Sequence, residues 1–245
     1  LVQHIRERVT SRRSSPRLAL FLERGWQHLA AIIAVQRMGG TCVLIDPAHP
    51  DERIRAFIEE CSPHAVLTAG STTERARDLL TFPLLDIDKV QVRPTLVNWE
   101  HGKWVDSTNE ACFIAGTSGS TGRPKAVCLS YRGMAATLDA VIEQAGLGEH
   151  SRGSWLSSPG YGMIEVDPLP VLCAGGTVCI PAPQVLQDVN LLARWLLEGD
   201  MNHTLAMTSI AQALWATSTR TGLRTMLIAG ERCKQWPPSD LGYRG

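Results

Sequence analysis

The sequence has no excess of either charge: 24 Lys and Arg balance 24 Asp and Glu, for a formal net charge of +0. Bulk electrostatic attraction to nucleic acid or to an anionic membrane is therefore not expected. The densest basic cluster, Arg6, Arg8, Arg12 and Arg13, is interrupted by Glu7 and reads as the wet face of a helix. No apolar run reaches the length of a membrane span, and no secretory leader is recognisable. Seven cysteines are present, an odd number with no C-x-x-C pair, and the seven histidines show no ligand spacing. A disulfide frame and a zinc site are thereby disfavoured, and reduced core cysteines in a cytoplasmic protein are expected. Cys42, Cys112, Cys128, Cys173 and Cys179 all sit in apolar runs. There is no Walker loop: Gly122 is followed by Arg123-Pro124, not by Lys and Ser or Thr. Internal repeats and low-complexity tracts are absent too.

What the chain does have is 245 residues, 44% of them hydrophobic and 20% charged, enough for a sizeable core in one or two domains. Buried strands are predicted over 17–22, 41–45, 64–68, 84–87, 111–115, 127–130, 154–157, 177–180, 203–207 and 225–229. Helices are predicted over 1–13, 26–38, 51–58, 73–80, 133–145 and 209–217. Another follows from the stripe of Val185, Val189, Leu192 and Leu196. Ile54, Phe57, Ile58 and Cys61 share one helical face, and Asp51 and Glu52 complement the dipole at its start. Residues 88–110 lack periodicity and read as a surface connection. Strands alternating with helices imply βαβ units: a layered α/β/α fold with mostly parallel sheets.

One stretch stands apart. After the apolar run 111–115 come Gly116 and then Thr117-Ser118-Gly119-Ser120-Thr121-Gly122, all small, and then Arg123-Pro124-Lys125 before a second apolar run. Backbone N–H groups with no bulky side chain over them can point into one concavity and hold an anion. Hydroxyls on Thr117, Ser118, Ser120 and Thr121 add donors, and Lys125 adds positive charge. The rival reading is a Gly/Ser linker; apolar strands at both ends and the Pro-Lys close argue for a polyphosphate loop. Its place after a strand end suits ligand binding in a parallel sheet.

Residues 117–125 resemble the phosphate loop of the adenylate-forming superfamily, which includes peptide-synthetase adenylation domains, acyl-CoA synthetases and luciferases. The family loop runs Thr-Ser-Gly-Ser/Thr-Thr-Gly-x-Pro-Lys-Gly; Gly116 stands where an aromatic is common and Ala126 where Gly is usual. Arg37 to Pro47, with Pro50 and Arg53, is similar to a family segment ending Leu-Asp-Pro-x-x-Pro-x-x-Arg, in the version typical of nonribosomal peptide synthetases. By itself that segment reads as structural. Met226 to Glu231 resembles the strand end Leu-x-x-Gly-Gly-Glu, with Ala229 at the first Gly. Tyr161-Gly162 falls on the family's Phe-Asp pair, whose Asp holds an α-ammonium group. Gly162 brings no carboxylate; Glu165 and Asp167 lie nearby.

The resemblance implies ATP-dependent activation of a carboxylic acid (amino, aryl or keto) as an acyl-adenylate. The acyl group then passes to a carrier-protein thiol bearing phosphopantetheine, within a nonribosomal peptide synthetase or related enzyme. The alternatives are a non-catalytic remnant or an acyl-CoA synthetase fragment. ATP phosphates are assigned to Thr117, Ser118, Gly119, Ser120, Thr121, Gly122 and Lys125. The adenine pocket falls to Gly230 and Glu231, and the acid pocket to Tyr161, Gly162 and Glu165. No catalytic residue or metal ligand is assigned. Mg²⁺ accompanies ATP, and its family carboxylate ligand is expected beyond residue 245. So are the family's later motifs and the small C-terminal subdomain with its catalytic Lys. Residues 1–245, which open on Leu1 and not Met, are accordingly expected to be the N-terminal core of an adenylation domain, inactive in isolation.

Overall fold

The computed structural model describes residues 1–9, 15–90, 110–117, 125–217 and 219–238. They form two units, Leu1–Met134 with Ser158–Gly162, and Ala135–Ser157 with Met163–Gly245.

In the first unit the elements run α1 (Val2–Arg8), β1 (Arg17–Phe21), α2 (Trp26–Gln36), β2 (Thr41–Ile45), α3 (Asp51–Cys61), β3 (Ala65–Thr68), α4 (Ser71–Leu79), β4 (Leu84–Asp86), β5 (Ala111–Thr117) and β6 (Lys125–Ser130). The sheet order is β4-β3-β1-β2-β5-β6. All neighbours are parallel except the final pair, β5 and β6. Strands β1, β2 and β3 are buried along their lengths, apart from half-buried Arg17 and Thr41, because helices cover both faces. The predicted face of α3 is buried as expected: Ile54, Phe57, Ile58 and Cys61 join Ala19, Phe21, Val43, Ile45, Val66 and Ile114 in one cluster. That face follows from the 3.6-residue period, with polar residues left to solvent. Of the expected surface connection, 88–110, residues 91–109 lie outside the described residues.

The second unit takes most of α5 (Tyr131–Ala145), then β7 (Arg152–Ser154), α6 (Pro168–Cys173), β8 (Thr177–Cys179), α7 (Val189–Glu198), β9 (His203–Met207), α8 (Thr208–Trp215) and β10 (Thr225–Ala229). Its sheet, ordered β10-β9-β7-β8, is parallel throughout. Leu156, Leu192, Leu196, Met201, Leu214 and Leu223 form its main core.

Several expectations need correcting. The stripe of Val185, Val189, Leu192 and Leu196 is not one helix. Val185 lies in a short 3-10 turn, Pro183–Gln187, and Asp188 then caps α7 by accepting hydrogen bonds from the Asn190 and Leu191 amides. A side-chain acceptor that satisfies helix-end amides starts a helix more sharply than apolar spacing reveals. Strand β7 stops at Ser154, not Ser157. Cys42 and Cys112 are buried core thiols, but Cys128 and Cys173 are exposed and Cys179 is half-buried. An apolar run on an edge strand such as β6 has a covered face only where something packs on it. None of the seven cysteines is in a disulfide. Among the described residues no helix is long and apolar enough to cross a membrane.

Candidate functional site

The predicted phosphate stretch joins two antiparallel strands. Thr117 pairs with Lys125, Gly116 with Ala126 and Ala115 with Val127. On its other edge β5 runs parallel to β2, Cys42 opposite Phe113 and Val43 opposite Ile114. The strand therefore extends two residues beyond the predicted Ala115, and Thr117 is a strand residue. Its hydroxyl donates to the Lys125 carbonyl at 3.4 Å. Both side chains are exposed at the carboxyl end of β5, where open parallel sheets take their ligands. Ser118, Gly119, Ser120, Thr121 and Gly122 lie outside the described residues. Ala126 needs no glycine-like backbone. It sits in regular antiparallel pairing with Gly116, and among the described residues the positive-φ non-glycine residues are Ser62 and Asp200.

Beside this hairpin, in the same unit, lies the short segment Ser158–Gly162. Tyr161 is exposed and its ring meets His49 edge-on, centroids 5.9 Å apart at 87°. A Cβ on Gly162 would lie 3.6 Å from Leu129 Cδ1 and 3.8 Å from Ala115 Cβ, on β6 and β5. Those are ordinary contact distances, so the position has room for a side chain. Asp46, at the end of β2, accepts hydrogen bonds from the Ala48 amide at 2.8 Å and from the Ser158 hydroxyl. Between these parts is a hollow of about 20 Å³, lined by Asp46, His49, Arg53, Phe57, Gly116 and Gly160 among others. That is room for one water and not for an acid. Gly116 faces the Phe57 ring, which a Cβ there would approach to 3.3 Å. The His49 imidazole is held below its ordinary pKa, chiefly by burial. Asp46 opposes that shift and Arg53 reinforces it.

The second unit holds the remaining expected residues. Gly230 follows β10 with φ +99, and a Cβ there would fall 2.1 Å from Met207 Cε. Both conditions favour glycine. The Thr208 hydroxyl can donate to the Ala229 carbonyl at 3.2 Å or the Glu231 carbonyl at 2.8 Å, which fixes the turn. Glu231 itself is exposed. Glu165 closes a 3-10 turn, Gly162–Glu165; its Oε2 is buried with no hydrogen-bond partner among the described residues. Burial pushes its carboxyl pKa up. Asp167 is fully buried, and its Oδ2 accepts from the Leu156 amide at 3.1 Å and the Ser157 amide at 2.8 Å. Although it stands at the N-cap of α6, its side chain makes no cap bond there. Through those two amides it holds the chain leaving β7.

The structure thus brings Thr117, Lys125, Tyr161 and Gly162 into the first unit, and Glu165, Gly230 and Glu231 into the second. Sequence reasoning missed the Asp46–Ser158 contact. Its members are 112 residues apart, and no local pattern announces such a pair. Among the described residues no three His, Cys, Asp or Glu side chains converge as a metal site would require.

A family model described as AMP-binding enzyme matches residues 12–237. Malformin synthetase mlfA of Aspergillus brasiliensis is 37% identical over 224 residues, which is 91% of this chain and 4% of that protein. A probable non-canonical nonribosomal peptide synthetase, CymA, of Salinispora arenicola is 29% identical over 228 residues, 87% of this chain and 3% of the relative. The chain thus spans only 3–4% of the length of these curated relatives. Among solved structures, a four-domain nonribosomal peptide synthetase bound to AMP and glycine superposes with a TM-score of 0.78 at 24% identity, over 94% of this chain and 17% of that one. The NpsA N-terminal subdomain of Klebsiella oxytoca, in complex with 3-hydroxybenzoyl-AMSN, gives 0.76 at 18% identity, over 94% of this chain and 57% of that one. At these identities the structural likeness concerns the fold.

Proposed function

The chain belongs to the AMP-binding enzyme family, and on that premise we propose that it serves as the N-terminal core of an adenylation domain in a nonribosomal peptide synthetase. In this reading a carboxylate oxygen of an amino, aryl or keto acid attacks the α-phosphorus of ATP. The bond to the bridging oxygen breaks, pyrophosphate leaves, and an acyl-adenylate remains. A phosphopantetheine thiol on a carrier-protein domain then attacks the acyl carbon, and AMP leaves as the thioester forms and the thiol proton is lost.

The observation that carries the proposal is the hairpin. Strand β5 ends at Thr117 beside Lys125, bracketing a run of Gly, Ser and Thr at the carboxyl edge of a parallel sheet. Main-chain amides and the hydroxyls of Thr117, Ser118, Ser120 and Thr121 would hold the β- and γ-phosphates, with Gly119 and Gly122 leaving the backbone open. The Lys125 ammonium would offset their charge. Such a site works by positioning and by stabilising charge that grows on phosphate oxygens. Mg²⁺, when bound with ATP, supplies further neutralisation. Its usual mode is phosphate oxygens and waters with one or two carboxylates. Gly230 and Glu231 would border the adenine. The relatives' names, malformin synthetase and nonribosomal peptide synthetase, support the same chemistry.

The test is titration calorimetry with MgATP and with inorganic tripolyphosphate. Lys125→Ala removes one charge-assisted contact, about 1.5–3 kcal/mol, and should weaken both ligands by about ten-fold or more. Equal affinity in parent and variant would mean that the hairpin holds no phosphate.

A further inference from the structure

Asp46 directly follows β2, and by sequence it is only the first half of an Asp-Pro turn. In the fold it does more. One carboxylate oxygen accepts the Ala48 amide, which fixes the turn. The other accepts the Ser158 hydroxyl. The Ser158 oxygen in turn accepts the Gly160 amide at 3.2 Å. Gly160 lies flat on Asp46: a Cβ there would fall 2.4 Å from the Asp46 amide nitrogen and 2.6 Å from its Cβ. Only a glycine allows that approach. Three residues on from Asp46, His49 meets the Tyr161 ring, and Gly162 lies against Ala115 and Leu129 at the base of the phosphate hairpin. The Asp46–Ala48 turn does not float. Arg75 from α4 donates to the Pro47 carbonyl, to the His49 carbonyl at 3.0 Å and to Asp51, while its guanidinium lies 5.6 Å from the Phe21 ring centroid.

These contacts explain why residues 158–162 cluster with the first unit while the chain on either side belongs to the second. Five residues are pinned to a turn more than a hundred positions earlier by one carboxylate, one hydroxyl and one missing side chain. We propose that Asp46, through Ser158, is a positioning residue for acid recognition. It sets the Tyr161-Gly162 segment against β5 and β6, so that the acid's carboxylate is presented beside the triphosphate. Asp46 is hydrogen-bonded to the protein through both oxygens and does not itself touch the acid. This proposal rests on the adenylation reading above. It assigns to the Asp-Pro turn a task that its sequence alone does not suggest.

Ser158→Ala is the informative variant because it cuts the latch and leaves the Asp46–Ala48 turn intact. Two measurements are made on the full-length synthetase. Hydrogen exchange of the peptide covering residues 158–162 should quicken in Ser158→Ala and stay near parental in Ser158→Thr, which keeps the hydroxyl. ATP–pyrophosphate exchange is then run with the acid that the parent uses fastest, chosen from the proteinogenic amino acids, benzoate, salicylate and their 2-oxo and 2-hydroxy counterparts. The KM for that acid should rise about ten-fold in Ser158→Ala, with the KM for ATP within about two-fold of the parent, and Ser158→Thr should restore it. A general loss of fold would lower kcat without splitting the two KM values. Unchanged acid KM with quickened exchange would leave the latch as mere scaffolding and overturn the positioning role. Unchanged exchange would overturn the latch itself. No pyrophosphate exchange by the parent with any of these acids would instead overturn the adenylation reading, and the inference with it.

Discussion

The first unit buries three neighbouring strands on both faces; the second does so for β9 as far as Ala206, while β10 at its edge is half-exposed along its whole length. Each unit also commits one aspartate to the stretch between residues 156 and 160. Asp46 is half-buried and takes a side-chain hydroxyl and the amide of its own turn. Asp167 is fully buried and takes two backbone amides. One residue type thus does two jobs of different energy. A carboxylate open to water exchanges one set of hydrogen bonds for another at little net gain. One sealed from water leaves amides stranded when it is lost.

Replacing the two aspartates separates the cases. Asp167→Ala removes the acceptor of two buried amides and should cost about 3–5 kcal/mol. Asp46→Ala should cost about 1–2 kcal/mol, because water can replace part of what is lost. Urea unfolding gives both values, and equal losses would erase the distinction drawn from burial.

A second contrast lies in the buried histidines, one in each unit. His28 and His203 are both held down to about 4 from an ordinary 6.5, each chiefly by burial. For His28 the Leu22 carbonyl and Asp46 push back; for His203 neither ring nitrogen has a hydrogen-bond partner among the described residues. Above pH 6.5 the folded and unfolded rings are both neutral, and neither contributes. Between pH 6.5 and 4 the unfolded chain binds a proton that the folded chain excludes, so stability falls as pH falls. The loss is complete below about pH 4, at about 3 kcal/mol per ring. His203→Leu should remove about half of that pH dependence. Urea midpoints at pH 7, 5.5 and 4.5 report it, and an unaltered slope would mean that His203 takes up its proton while folded.

The glycines, which range down to the smallest effect, sharpen the comparison further. Gly160→Ala drives a methyl group into the Asp46 backbone, which cannot yield, and should cost about 2 kcal/mol or more. Gly230→Ala meets the end of the flexible Met207 side chain but keeps its strained positive φ, for about 1–2 kcal/mol. Gly162→Ala meets only ordinary contacts and should stay within about 0.5 kcal/mol. Thermal melts of the three variants should follow that order.

Most strands and helices were legible because their signals are local. The apolar runs of β1, β2 and β3 and the helical face of Ile54, Phe57, Ile58 and Cys61 need no knowledge of distant residues. Where a local competitor intervened the reading slipped, as when the Asp188 cap cut Val185 away from the α7 stripe. The exposure of Cys128 and Cys173 could not be read, since an apolar run says which residues suit burial and not what covers them. For the site, the Thr117 to Lys125 stretch was legible as a motif and its strand-paired ends were not.

By itself the sequence determined the periodicities that make an α/β chain with parallel sheets, and the small-residue run ahead of Lys125. Both are properties of near neighbours, fixed by steric and hydrophobic preferences over a few residues. Only the tertiary structure decided that Asp46 grips Ser158, that Asp167 is spoken for by two amides, and that Gly160 must lack a side chain. Those facts depend on which distant segments share a place, and local preferences do not encode that separation.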